Sequence, residues 1–197
     1  MQLVVNEETV IQLRDMSEED FYEFCALNED HRIERTASGD ILIMAPAGTE
    51  TGQRNNDLSE QLQRWARQEG RGKAFDSSTG FTLPNGAIRS PDAAWVERSR
   101  LASLTREQRR RFAPVCPDFV VELTSPSDRL SKVQEKMREW MANGAQLGWI
   151  LDADGRQAHL YRPDGSVEVV AEPSQLVGEG PVEGFVLDLR GFWDLDW

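Results

Sequence analysis

The sequence predicts a mixed α/β (α+β) fold in which one central β-sheet is flanked by helices. Amphipathic segments with helical spacing alternate with short apolar segments of strand length, and Gly or Pro turns separate them. The 197 residues suit one domain, and 39% hydrophobic with 28% charged residues is ordinary for a globular protein. We therefore expect a single domain over 1–197, with an N-terminal helix and β-hairpin added to it over about 1–46.

The N-terminal elements follow from capping and turn signals. Ser17 precedes three acids and is a typical helix N-cap, and apolar residues at helical spacing extend this helix to about Asn28. The segments 32–35 and 40–45 are predicted to pair as a hairpin, because Gly39 between them favours a turn.

The remaining elements are predicted from periodicity. A long helix is expected over 50–69, since Leu58, Leu62 and Ala66 recur at helical spacing and Gly70 ends the pattern. A second core helix is predicted over 128–143. Strands are predicted over 74–83, 87–96, 119–124, 148–152, 157–162 and 167–170.

Two of these strands each contain one carboxylate in an apolar run. Asp92 begins the run Asp-Ala-Ala-Trp-Val, and Glu122 lies inside Phe-Val-Val-Glu-Leu. An ionised carboxylate in such a place is costly unless it is paired or bound to a metal, so both residues are candidate metal ligands. The residues alone leave alternatives open. Asp92 could be a turn acid after Pro91, and Glu122 could be satisfied by an arginine or by backbone amides.

The net charge of −12 has the wrong sign for binding nucleic acid over the whole surface, because phosphate contacts need Lys or Arg. The segment 98–111 differs from the rest, since it carries six arginines and one glutamate. This segment could face phosphates. The alternative is a solvated surface whose arginines pair with neighbouring acids.

Membrane and disulfide classes are not indicated. No apolar stretch approaches the roughly 18 residues that a membrane helix needs, and the acidic N-terminal segment does not resemble a signal peptide. We therefore expect a cytoplasmic protein without a membrane partner. Cys25 and Cys116 are far apart in sequence, so neither a disulfide framework nor a Cys/His zinc site is expected.

The order of acid strand, acid strand and lysine-bearing helix resembles the PD-(D/E)XK nuclease superfamily, and most closely its Uma2 family of endonucleases. The similarity covers most of the chain and implies a restriction endonuclease-like core. It implies a metal-dependent endonuclease that hydrolyses phosphodiester bonds in DNA. The matching segments are GTETG at 48–52, STGFTLPNGAIRSPDAAWV at 78–96, CPDFVVELTSPSDRL at 116–130, KMREWMANGA at 136–145, GWILD at 148–152 and YRPDG at 161–165.

The resemblance also implies a site. Asp92, Glu122 and the backbone carbonyl of Leu123 would bind Mg²⁺, for which Mn²⁺ could substitute, since this ion prefers oxygen ligands. Glu50, at the start of the helix that precedes the sheet, is a candidate fourth catalytic acid. The alternative is that the helix dipole alone favours an acid there. We expect a homodimer, because superfamily nucleases often pair to cut two strands.

The sequence departs from the superfamily pattern at one position. The place of the motif lysine is taken by Thr124, so the lysine is expected on the following helix, as Lys132 or Lys136. Lys136 borders the apolar stripe that contains Trp140, whereas Lys132 faces solvent more directly, which favours Lys136 as the catalytic lysine. The alternative is that Lys136 only lays its stem along apolar surface. Thr124 also supports a different function, that of a non-catalytic binding protein on the nuclease fold.

Overall fold

The structure, a computed structural model, describes residues 9–12, 16–126 and 128–195. The helices are α1 (Glu18–Leu27), α2 (Thr49–Glu69), α3 (Arg98–Ala102) and α4 (Leu130–Ala142). The strands are β1 (Thr9–Gln12), β2 (Arg32–Arg35), β3 (Asp40–Met44), β4 (Gly72–Asp76), β5 (Phe81–Thr82), β6 (Ile88–Arg89), β7 (Ala93–Glu97), β8 (Phe119–Leu123), β9 (Leu147–Asp152), β10 (Gln157–Tyr161), β11 (Val167–Ala171), β12 (Gln175–Val177) and β13 (Val186–Asp188).

The centre of the molecule is a six-stranded mixed sheet with the order β11-β10-β9-β8-β7-β4. Its neighbouring strands are antiparallel except β8 and β9, which are parallel and joined through α4. Leu58 and Leu62 of α2 pack on one face of the sheet, and Met137 and Trp140 of α4 pack on the other. The predicted mixed central sheet flanked by helices is therefore confirmed.

The N-terminal hairpin belongs to a second sheet, which is antiparallel and has the order β1-β3-β2-β6-β5. The predicted pairing of β2 with β3 is confirmed, with Ile33 opposite Ile43. Phe21 of α1 is fully buried against this sheet together with Ile33 and Ile41. Only residues 90–92 separate β6 from β7, so the two sheets meet beside Asp92.

The prediction of continuous strands over 74–83 and 87–96 is wrong, because each segment is divided between the two sheets. Asp76 ends β4 by accepting hydrogen bonds from the backbone and hydroxyl of Ser78. At Gly80 the ring of Phe112 lies so close that a Cβ would be 2.5 Å from it. The sequence pattern indicates a continuous strand here, but the turn at Asp76 and the contact between Gly80 and Phe112 interrupt it.

The C-terminal segment completes the face that α2 covers. Leu176 and Leu187, from the paired strands β12 and β13, are buried in the same core cluster as α2. Phe185 stacks on Trp149 with ring centroids 5.9 Å apart. In the part of the chain that the structure describes, no helix has both the length and the apolar character needed to cross a membrane.

Two glycine substitutions test this packing. A Cβ at Gly178 would lie 2.2 Å from the carbonyl oxygen of Val182, so Gly178→Ala should be destabilising. We expect the free energy of unfolding to fall by about 1–3 kcal/mol. At Gly52, exposed within α2, a Cβ meets nothing within 4 Å. Gly52→Ala should therefore raise the free energy of unfolding by about 0.5–1 kcal/mol. Urea unfolding measures both, and the same sign for the two variants would contradict the packing.

Candidate active site

A largely buried lysine, with 17% of its side chain exposed, lies at the centre of a cluster where α4, β8 and the N-terminal sheet meet. Lys136 Nζ is 2.9 Å from Glu34 Oε1, 3.1 Å from the carboxylate of Glu122 and 2.8 Å from the carbonyl oxygen of Ser90. An ammonium group has three N–H donors, and each of them has an acceptor here. Lys136 is thus bound on all sides and does not extend into solvent.

One predicted acid lies within β8, and the other lies directly before the neighbouring strand β7. Ala93 is opposite Val121, and the backbone N–H of Asp92 donates to the carbonyl oxygen of Val121 at 3.0 Å, which holds Asp92 beside the end of β8 that carries Glu122. Both acids are buried. The antiparallel pairing of β7 with β8 therefore brings together two residues that are far apart in sequence.

Each acid accepts hydrogen bonds from fixed donors. Asp92 Oδ2 accepts from the backbone N–H of Leu123 at 2.8 Å, and Asp92 Oδ1 accepts from Arg32 Nη1 at 3.0 Å and from Asn55 Nδ2 at 3.3 Å. Glu122 Oε1 accepts from the indole N–H of Trp140 at 2.7 Å. These donors come from β8, β2, α2 and α4, so the position of the site depends on both sheets.

Glu34, which the sequence analysis does not include among the candidates, is part of the cluster. Its side chain is 2% exposed. In addition to Lys136, it accepts from the backbone N–H of Ser90 at 3.1 Å and from Arg89 Nη1 at 3.1 Å. Arg89 also donates to Glu139 of α4 at 2.6 Å. The hairpin strand β2 therefore supplies a third buried carboxylate.

The other predicted site residues lie outside this cluster. Thr124 donates from its hydroxyl to Asp152 Oδ1 at 3.0 Å, and Lys132 pairs with Glu135 at the surface at 2.9 Å. Glu50 forms an ion pair with Arg54 at 3.3 Å, and its side chain is 56% exposed. In place of Glu50, α2 contributes its Asn55 to the cluster.

In the arginine-rich segment 98–111, some arginines pair with acids and others are exposed. Arg100 pairs with the buried Asp118 at 2.6 Å, and Arg111 pairs with Glu19. Four other arginines of this segment are exposed, namely Arg98, Arg106, Arg109 and Arg110. Part of the segment thus has a structural role, and the exposed part keeps a local positive charge.

Comparison with known proteins identifies the family. The Uma2 family, described as "Putative restriction endonuclease", matches residues 18–190. The chain belongs to the Uma2 family. Among solved structures, the fold is similar to that of "a putative nuclease belonging to DUF820 from Anabaena variabilis ATCC 29413", a crystal structure at 1.96 Å resolution. The TM-score is 0.68 at 22% identity, and the alignment covers 82% of this chain and 89% of the other. The comparison with curated proteins gave no match.

The likeness in structure confirms the restriction endonuclease-like fold of this Uma2 protein. Buried acids lie directly before the start of β7 and near the end of β8, at Asp92 and Glu122. Such placement is typical of functional sites, although ion-pair networks can also produce it.

The carboxylates of this Uma2 site differ in their affinity for protons. Burial raises the pKa of Glu122 to about 7, and the carboxylates of Asp92 and Glu34 add to this effect against the opposing charge of Lys136. Burial also acts to raise the pKa of Glu34, but Lys136 and Arg89 outweigh it and the pKa is lowered. Burial would lower the pKa of Lys136, but the two glutamates outweigh it and raise the pKa. Glu122 is therefore the group in this cluster that changes protonation near neutral pH.

The donor chemistry of the cluster fits a hard divalent cation. Asp92, Glu122 and Glu34 offer carboxylate oxygens, the ligand type that Mg²⁺ prefers. Among the described residues, no group of three or more Asp, Glu, His or Cys side chains is arranged to hold a metal ion. Mg²⁺ usually keeps several waters and is bound through one or two carboxylates, so Asp92 and Glu122 are the residues that would hold it.

The cluster residues that the sequence analysis missed are Arg32 and Glu34 of β2 and Asn55 of α2. The sequence Arg32-Ile33-Glu34-Arg35 has charged residues on both sides of one apolar residue, which is typical of an exposed strand. In the structure Glu34 and Arg35 are buried, because β2 packs against the junction of the two sheets. The one signal available was an acid inside a predicted strand, the same signal that selected Glu122.

A first prediction for the site concerns pH. The pKa of Glu122 is about 7 in the folded protein against its ordinary value of 4.5, so the folded state binds more protons than the unfolded state between these values. Stability then falls as pH rises through this window. Glu122→Gln should remove this loss of stability. The difference in free energy of unfolding between the variant and wild type should therefore shift in favour of the variant by on the order of 2–3 kcal/mol from pH 5 to pH 8.

Urea unfolding at the two pH values measures this difference. Glu135→Gln, on the exposed side of α4, is the matched control and should leave the pH dependence of stability as in wild type. A Glu122→Gln variant with the same pH dependence as wild type would show that Glu122 is ionised without penalty.

A second prediction distinguishes the two lysines of α4. Lys136→Met leaves Glu34 and Glu122 buried without their shared cation, and the free energy of unfolding should fall by about 3–5 kcal/mol. The side chain of Lys132 is 67% exposed. Lys132→Met should therefore cost less than about 1 kcal/mol. Thermal and urea unfolding of the two variants provide the measurement, and equal losses would contradict the central position of Lys136.

Proposed function

We propose that this Uma2 protein is a metal-dependent DNA endonuclease that hydrolyses phosphodiester bonds. The observation that carries the proposal is the largely buried Lys136, which is bound to the buried acids Glu34 and Glu122 beside Asp92. Burying these charges is costly, and replacing the whole charged set by apolar residues is often at least as stable. A protein has reason to keep such a group where charge develops in a reaction.

Each residue of the cluster has a separate role in the proposed reaction. Asp92 and Glu122 would hold Mg²⁺, with the carbonyl of Leu123 as a further ligand. When bound, the ion would lower the pKa of a coordinated water and polarise a phosphoryl oxygen. Lys136 would stabilise negative charge that develops on the phosphate, by exchanging its neutral acceptor, the Ser90 carbonyl, for a phosphate oxygen. Glu34 would position Lys136 by holding it from the side opposite Glu122.

The second candidate is a binding protein without catalysis. The net charge of −12 favours it, because a negative surface slows the approach of DNA. Its other support, Thr124 in the place of the motif lysine, is weakened by the structure, because Lys136 lies beside Glu122 instead.

The metal site gives the first test. Mn²⁺ at about 100 times its dissociation constant should stabilise the fold by roughly 2.7 kcal/mol. Asp92→Asn, which keeps the shape of the side chain, should abolish this stabilisation. Thermal unfolding with and without Mn²⁺ measures both. A wild-type melting temperature that is unaffected by millimolar Mn²⁺ and Mg²⁺ would contradict the metal assignment.

Plasmid cleavage then separates enzyme from binding protein. Glu122→Gln should reduce the Mg²⁺-dependent cleavage rate by about a hundredfold or more, as expected for the loss of one transition-state contact. Lys132→Gln, on the exposed face of α4, is the control and should cleave like wild type. A protein that binds Mn²⁺ through Asp92 but cleaves no DNA would favour the binding protein. The homodimer stays a prediction, which light scattering after gel filtration tests.

A further inference from the structure

Arg32 lies across the open side of the cluster. Its Nη1 donates to Asp92 Oδ1 at 3.0 Å, and its Nη2 donates to the carbonyl oxygen of Ser90 at 2.5 Å. Its side chain is 31% exposed, compared with 10% for Asp92 and 17% for Lys136. Arg32 is therefore the charged side chain of this group that lies nearest to solvent.

The contacts of Arg32 are incomplete. Its Nε is buried and has no hydrogen-bond partner among the described residues. A buried N–H without an acceptor costs free energy that the other two bonds must offset. This guanidinium is thus held less completely than Lys136, all of whose donors are paired, and its further contact with Glu34 is long, at 3.9 Å.

Arg32 occupies the place that a metal ligand needs. Asp92 Oδ1 accepts two hydrogen bonds, from Arg32 and Asn55, and one carboxylate oxygen has about two acceptor sites. Asp92 Oδ2 is held by the backbone N–H of Leu123. A cation that binds Oδ1 must therefore displace a donor. Asn55 is neutral, whereas the positive charge of Arg32 would repel a divalent ion at this distance.

We infer that Arg32 is an internal counter-ion of Asp92 that a divalent cation displaces when it binds. The inference rests on the proposed metal site and adds to it a positive charge that competes with the metal ion. Without metal, Arg32 neutralises Asp92 and keeps the surplus of buried carboxylates tolerable. With metal, the same charge is supplied from outside and Arg32 moves away into solvent. The free energy of metal binding in the wild type is then the favourable free energy of binding the ion reduced by the cost of releasing Arg32 from Asp92.

Calorimetric titration with Mn²⁺ tests this inference. Arg32→Gln removes the competing charge and should bind Mn²⁺ at least about tenfold more tightly than wild type, since a hydrogen bond to a charged group is lost from the competing state. Arg32→Lys keeps the charge but cannot reproduce the two parallel bonds, so its affinity should lie between the two. Arg64→Gln, which removes an exposed arginine of α2, controls for net charge and should match wild type.

The outcomes are distinct. Equal or weaker Mn²⁺ binding by a folded Arg32→Gln variant would overturn the inference, because a residue that merely supports the site would lower the affinity when removed. If Arg32→Gln does not fold, as judged by circular dichroism, Arg32→Lys decides by the same comparison. Mn²⁺ binding by Arg32→Gln but not by wild type would support the inference in its strongest form. No binding by any variant would overturn the proposed metal site and this inference with it.

Discussion

The ion pairs of one largely buried ammonium group connect the two sheets of this molecule. Lys136 is held by Glu34 from the N-terminal sheet and by Glu122 from the central sheet, so it joins the two sheets through charge as well as through packing. A buried charge must be paired and hydrogen-bonded to be tolerated. The relative position of β2, β8 and α4 is therefore fixed by the need to place both acceptors within about 3 Å of one nitrogen.

A chain of charged contacts extends from this point to the surface. Arg89 links Glu34 to Glu139, which also accepts from the turn residue Asn85 at 2.9 Å. Glu139 and Lys136 lie three residues apart on α4, so a single helix face carries both ends of the network. Each member has at least one partner on another element, so the buried glutamate and the turn residue belong to one connected network of hydrogen bonds.

Local patterns of sequence explain part of this architecture. The helices, most strands and the places of Asp92 and Glu122 follow from periodicity and from the cost of burying an acid. The choice of Lys136 follows from its place beside the apolar stripe of α4. The partition of 74–83 between two sheets does not follow, because it depends on the turn at Asp76 and on the contact of Gly80 with Phe112. Glu34 also does not follow, since its burial arises from packing between sheets and not from its own strand.

The N-terminal hairpin is part of the site, although it precedes the core sheet in the sequence. A strand added before a nuclease core would ordinarily be regarded as dispensable decoration, and a shortened chain as the minimal enzyme. Here β2 brings Glu34 to the lysine, and β6 continues into the segment that ends at Asp92. A chain trimmed to begin at α2 would retain the core sheet and both strand acids while losing a buried partner of their lysine. In this protein the unit that builds the cluster around Lys136 therefore begins before the hairpin, and a substitution in that hairpin can alter the cluster as directly as one in the core.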